Sequence, residues 1–63
     1  MEKIKQIIAE KSGNYYLVGR NCTEIVNNCT ETTDGTVDRQ YDIYDGEKKI
    51  ASFINCSVEI LYQ

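Results

Sequence analysis

The chain has 63 residues, with seven Lys and Arg against ten Asp and Glu, no His and no Pro, and a formal net charge of -3 at pH 7. One small domain over residues 1–63 is the limit, because a chain this short buries only about 60% of the surface that its unfolded form exposes. The acidic balance makes direct nucleic-acid binding improbable, since a phosphate backbone requires a basic face. We expect a marginal core that a second copy of the chain would complete.

No run of 18 apolar residues is present, and the charged start lacks the continuous apolar stretch of a signal peptide. We therefore expect a cytoplasmic protein that does not contact a membrane. Reducing conditions there would keep the thiols of the three cysteines free.

The N-terminal segment is predicted to be an amphipathic helix. Its apolar side chains recur at the i, i+3, i+4, i+7 spacing through Met1, Ile4, Ile7 and Ile8. Gly13 would end the helix, because glycine takes the left-handed conformation of a helix C-terminus without steric cost.

A strand is predicted over residues 14–20. Tyr15 and Leu17 would lie on one face, and Tyr16 and Val18 on the other. Because both faces are apolar, we expect this strand in the interior of a sheet, or at an edge that a second copy covers.

Residues 21–30 allow two interpretations. A helical stripe is formed by four residues: Cys22, Ile25, Val26 and Cys29. Most of the segment consists of mediocre helix formers, and as a strand it would pair with residues 36–44. We favour a short helix at 22–29.

The remainder predicts a hairpin and a last strand. Asp45-Gly46 is a strong signal for a two-residue turn, which would pair Tyr44 with Glu47 and Tyr41 with Ile50. Residues 57–62 follow as a strand. The expected fold is α+β, an N-terminal helix packed on an antiparallel sheet of about four strands. The hairpin register places five side chains on one face: Val37, Tyr41, Ile43, Ile50 and Ile54.

The three cysteines are interpreted as small buried hydrophobes. A metal site would have to use Cys22, Cys29 and Cys56 without any His and at unusual spacing, and a catalytic thiol would lack a neighbouring imidazole. No phosphate-binding glycine loop or metalloprotease motif is present. We expect neither an enzyme nor a metal or cofactor.

Two anomalies suggest a ligand. Arg39 falls between Val37 and Tyr41 on the apolar strand face, where it either reaches water at the sheet rim or meets an anion. Arg20 closes the first strand. Five tyrosines in so short a chain exceed what packing requires, and tyrosine favours binding surfaces. The predicted ligand-binding residues are Arg39, Arg20, Tyr41, Tyr16 and Tyr15.

Three functions follow as hypotheses. The first is a non-enzymatic homo-oligomer that sequesters a small anionic, nucleotide-like ligand between copies. The second is an acidic inhibitor that covers a basic surface of a larger protein, and the third is a structural assembly subunit without a ligand. The inhibitor would use carboxylates around the hairpin: Asp34, Asp38, Asp42, Asp45 and Glu47.

In size, charge and lack of catalytic groups, the chain is similar to the small inhibitors and ligand-sequestering proteins that bacteriophages use against host defences. This is a similarity of type that covers no aligned motif and transfers no residue. It favours sequestration or inhibition over metabolism.

Overall fold

β-Strands and connecting turns make up the computed structural model over residues 3–63, the part of the chain that it describes. No helix is present in that part, so the fold there is all-β rather than α+β. The strands in chain order are β1 (Ile4–Ala9), β2 (Tyr15–Leu17), β3 (Glu24–Asn27), β4 (Thr30–Glu31), β5 (Val37–Asp38), β6 (Gln40–Asp45), β7 (Lys48–Ile54) and β8 (Val58–Tyr62).

The strands form two three-stranded antiparallel sheets and a short ribbon. One sheet has the order β2-β1-β8, the other has the order β3-β6-β7, and β4 pairs with β5. The core lies between the two sheets, where Ile7 and Ile43 are fully buried. The buried cluster consists of Ile4, Ile7, Cys22, Ile25, Tyr41 and Ile43.

The predicted N-terminal helix is wrong, because residues 4–9 form β1, the central strand of its sheet. The β-branched isoleucines of this segment favour a strand, and β2 and β8 bond to the two edges of its backbone. A β-bulge between Ile4 and Gln6 turns both Ile4 and Ile7 inward. A bulge adds one residue to the period of two, so it reproduces the i, i+3 spacing of a helix.

Gly13 has the left-handed conformation expected of it, with φ of 75°. It serves the β1–β2 hairpin instead of a helix end, since its amide donates a 2.8 Å hydrogen bond to the Ala9 carbonyl. β2 lies at the edge of its sheet, so the alternative of an interior strand is wrong.

The predicted short helix at 22–29 is also wrong. The strand interpretation holds instead, because Glu24–Asn27 form β3 and Ile25 pairs with Ile43 of β6. The helical stripe arises because Cys22 reaches the core from the turn before β3, whereas Ile25 reaches it from within the strand.

The β6–β7 hairpin is confirmed, but its predicted register is wrong. Gly46, with φ of 66°, is the first loop residue, and Asp45 pairs with Lys48. Glycine at the first of two loop positions is the requirement of a type II′ turn. The loop is therefore Gly46-Glu47 rather than Asp45-Gly46, which moves the partner of Tyr44 by two residues, from Glu47 to Lys49.

A bulge at Ile50 then reverses the faces of β7. Ile43 pairs with Ala51 while Tyr44 pairs with Lys49, so Ile50 has no partner in the ladder. The extra residue turns Phe53 inward and leaves Ile54 57% exposed. Ile50, Ile54 and also Val37 of β5 are therefore outside the core in which they were predicted.

β7 is the longest strand and an edge strand. It pairs with β6 on one side and with no strand of residues 3–63 on the other. Two exposed lysines, Lys48 and Lys49, begin it. Within the same residues, no helix has the length and apolar character needed to cross a bilayer.

Candidate functional site

The five residues predicted to bind a ligand do not line one groove. The rings of Tyr16 and Tyr41 point into the core, and Tyr16 packs edge-on against Phe53 at 6.0 Å between ring centroids. Tyr15 lies on the opposite face of β2 and is 41% exposed. Arg20 lies in the turn after β2, where its amide donates a 3.0 Å hydrogen bond to the Leu17 carbonyl.

Arg39 and Tyr41 are brought together at one end of the core. Arg39 is exposed between β5 and β6, and its amide donates a 2.9 Å hydrogen bond to the Asn55 side-chain oxygen. Burial and the neighbouring Cys29 thiol raise the pKa of the Tyr41 phenol, which the Tyr62 phenol raises further and Arg39 lowers. The charges of Arg39 and Tyr62 therefore reach the Tyr41 phenol. Arg39 reaches water at the rim, as one of the two predictions for it required.

The outward side of the β2-β1-β8 sheet is apolar, which sequence reasoning recognised only in part. Cross-strand pairing aligns two rows: Tyr15, Ile8 and Glu59, then Leu17, Gln6 and Leu61. We call the outward side formed by these six residues the apolar face. Leu61 is 53% exposed on it, whereas Ile8 and Leu17 are half-buried. Soluble monomers leave few contiguous apolar patches exposed, so this face is a candidate binding surface.

A hollow of about 230 Å³ indents the apolar face between β1 and β8. Gln6, Ile8, Glu59 and Leu61 contribute to its wall. Tyr15 lies on the neighbouring strand β2, where it pairs with Ile8 at the edge of the hollow. The face therefore carries both a projecting aromatic ring and a depression.

The outer side of the other sheet is organised differently, around the carboxylate of Asp42. Asp42 is only 3% exposed. Its oxygens accept hydrogen bonds from the Ser52 hydroxyl at 2.6 Å, from the Gln40 amide at 3.0 Å and from the Asn28 amide. Ser52 and Gln40 lower the pKa of Asp42 most, so the carboxylate stays ionised and its acceptor sites are used within the chain.

The carboxylates expected to form an acidic surface are separated. Asp38 precedes β6 and Asp45 ends it, which places them about 20 Å apart along an extended strand. Asp42, between them, is buried in its network. Asp34 is held in its own loop, where hydrogen bonds from Thr32 and Thr36 lower its pKa to about 2. This arrangement provides no continuous negative surface on the β6–β7 hairpin.

Within residues 3–63, no group of three or more His, Cys, Asp or Glu side chains is placed to hold a metal ion. The three cysteines are free thiols, of which Cys22 is buried, Cys29 is half-buried and Cys56 is exposed. The interpretation of all three as buried hydrophobes thus fits Cys22 best.

Comparison with known proteins gives no matching family model, no matching curated protein and no matching solved structure. The class that fold and surface define is a small all-β protein whose β2-β1-β8 sheet exposes Tyr15 and Leu61 on its outward side. Its function has to be argued from that face and from Arg39.

Proposed function

We propose that this protein is a non-enzymatic binding protein that acts as a homo-oligomer and sequesters a small anionic ligand. The observation that carries the proposal is the apolar face, which presents Tyr15 and Leu61 to solvent on a sheet whose inner side already fills the core. A second copy would remove this surface from water at a gain of about 25 cal/mol for each Å² of apolar area.

The ligand half of the proposal rests on Arg39. Arg39 is exposed, and its charge acts on the Tyr41 phenol, as does that of Tyr62. A planar, permanently charged guanidinium suits a phosphate or carboxylate, and adjacent phenols add hydrogen-bond donors. Arg20, at the far end of β2, would not belong to this site. Three free thiols are in keeping with action in the cytoplasm.

Native mass spectrometry of protein purified directly from a cell lysate tests both halves. We expect an oligomer that carries a few hundred daltons of additional mass. The additional mass should be lost in Arg39→Ala and retained in Arg20→Ala, which removes the same charge from a different turn. An oligomer without additional mass would overturn the ligand half, and a monomer at micromolar concentration would overturn self-association.

A further inference from the structure

We infer that two copies pack their apolar faces together about a two-fold axis that lies between the faces and parallel to β1. In this arrangement Tyr15 of each copy contacts Glu59 of the other. This inference rests on the proposed homo-oligomer and specifies its surface and symmetry. It follows from the order of side chains in the two cross-strand rows.

Rotation by 180° about this axis places β2 of one copy opposite β8 of the other. β1 of one copy then lies opposite β1 of the other. In the first row, Tyr15 would then face the partner's Glu59, while Ile8 meets its own copy. In the second row, Leu17 would face the partner's Leu61, with Gln6 opposite Gln6. Each side chain thus meets a chemically matched one, as an isologous interface requires.

The contact between Tyr15 and Glu59 gives a partner to Glu59, the only charged residue among the six; Lys5, exposed at the bulge beside Gln6, borders the face. A carboxylate covered by a second sheet requires a donor, and the Tyr15 phenol supplies an O–H on the opposing strand. The two Glu59 carboxylates would lie on opposite sides of the axis, about 10 Å apart, and this distance limits their repulsion. The hollow beside Ile8 offers room for the incoming Tyr15 ring.

The total exposed area favours a second copy as the occupant. The chain exposes 4732 Å². A compact monomer of its mass, 7.2 kDa, exposes about 4,100 Å². The excess of about 600 Å², taken over the whole surface, is the amount that each partner buries in the smaller specific interfaces.

Sedimentation velocity over a concentration series tests the assignment. We expect a dimer in the wild type and a dissociation constant at least about tenfold weaker in Tyr15→Phe, which removes only the phenol oxygen, twice per dimer. Tyr44→Phe is the matched control on the other sheet and should associate as wild type. Glu59→Ala should also weaken the dimer, and the double variant Tyr15→Phe/Glu59→Ala should lose little more than either single one.

Leu61→Arg should produce monomers, whereas Ile54→Arg, at a similarly exposed position of the other sheet, should not. Circular dichroism of both variants establishes that they fold. In a Cys29→Ser/Cys56→Ser background, Ile8→Cys should cross-link to itself through a short bis-maleimide, because the two copies of Ile8 face each other across the axis at the spacing of about 10 Å between packed sheets, which is too wide for a disulfide.

The outcomes separate the two levels of the proposal. A monomeric wild type overturns the homo-oligomer itself and, with it, this interface. An oligomer that is insensitive to Leu61→Arg and Tyr15→Phe overturns the assigned face while leaving self-association intact. A dimer that needs Leu61 but fails to cross-link at Ile8→Cys overturns the two-fold axis along β1. A monomer that captures a different protein through Leu61 overturns the second copy as occupant.

Discussion

The Ser52 hydroxyl donates a 2.6 Å hydrogen bond to the carboxylate of Asp42, its direct partner across β6 and β7. This bond joins two neighbouring strands through their outward side chains. It makes the largest contribution to lowering the pKa of Asp42. A carboxyl that is harder to protonate in the folded state than in the unfolded chain links stability to pH.

We predict that acid weakens the fold through Asp42. The stabilisation is fully present above the unfolded pKa of about 3.9 and is lost as pH falls through the lower folded pKa. Ser52→Ala should reduce the free energy of unfolding at pH 7 by about 1–2 kcal/mol, because the bond is to a charged acceptor. Urea titrations at pH 7 and pH 2.5 measure this. The deficit should shrink at pH 2.5, and an equal deficit at both would contradict the role assigned to the ionised carboxylate. Ser57→Ala, an exposed serine after β7, is the control.

The core should be sensitive to the loss of one methylene. Ile7 has no exposed surface, so Ile7→Val should lower the free energy of unfolding by about 0.5–1.5 kcal/mol. Ile54→Val makes the same change at a position that is 57% exposed and should have much less effect. Thermal unfolding by circular dichroism compares the two, and equal melting temperatures would contradict the packing described for Ile7.

Substitution of Gly46 should destabilise the protein, because its backbone has a positive φ. Its φ of 66° is costly for any residue with a Cβ, and Gly46→Ala should destabilise the protein by about 1 kcal/mol. A Cβ there would meet no atom within 4 Å, so the loss would come from conformation rather than from a clash. Glu47→Ala at the second loop position is the control and should be near neutral in chemical denaturation. A neutral Gly46→Ala would contradict the type II′ turn.

The three thiols should differ in reactivity in the order of their exposure. Cys56 is exposed and should react first with iodoacetamide, followed by the half-buried Cys29. Cys22 should react only on unfolding, since burial, and then the nearby Asp45 charge, raise the pKa of its thiol. Mass spectrometry of digests taken over a time course follows each site. Early labelling of Cys22 in the native protein would contradict its place in the core.

Local signals predicted the strands whose partners are close in sequence. Residues 15–17 are aromatic and branched and form β2. The Asp45-Gly46 pair predicts the β6–β7 hairpin, which the structure contains. Two of the errors occur where a bulge intervenes. At Lys5 a bulge converts strand periodicity into a helical spacing, and at Ile50 another reverses the faces of β7. Bulges are decided by cross-strand partners, which the periodicity of one segment does not reveal.

The apolar face, too, could be predicted from the sequence only in part, because strands distant in sequence form it. The outward pair Tyr15 and Leu17 is recognisable from alternation alone. Ile8 and Leu61 join them only because β8, near the C-terminus, pairs with β1, near the N-terminus. Arg39 and Tyr41 are only two residues apart, so the sequence alone is enough to propose them for one site. Tyr16 and Arg20 were grouped with them although one lies in the core and the other in a remote turn.

The free edge of β7 bears on how the protein behaves at high concentration. A seven-residue strand with an open ladder is a template on which further chains can stack into fibrils. Here Lys48 and Lys49 place two positive charges at its start, and the bulge at Ile50 interrupts the flat run that a stacking strand would need. The irregularity that obscures the register in the sequence thus also protects the folded chain against amyloid growth.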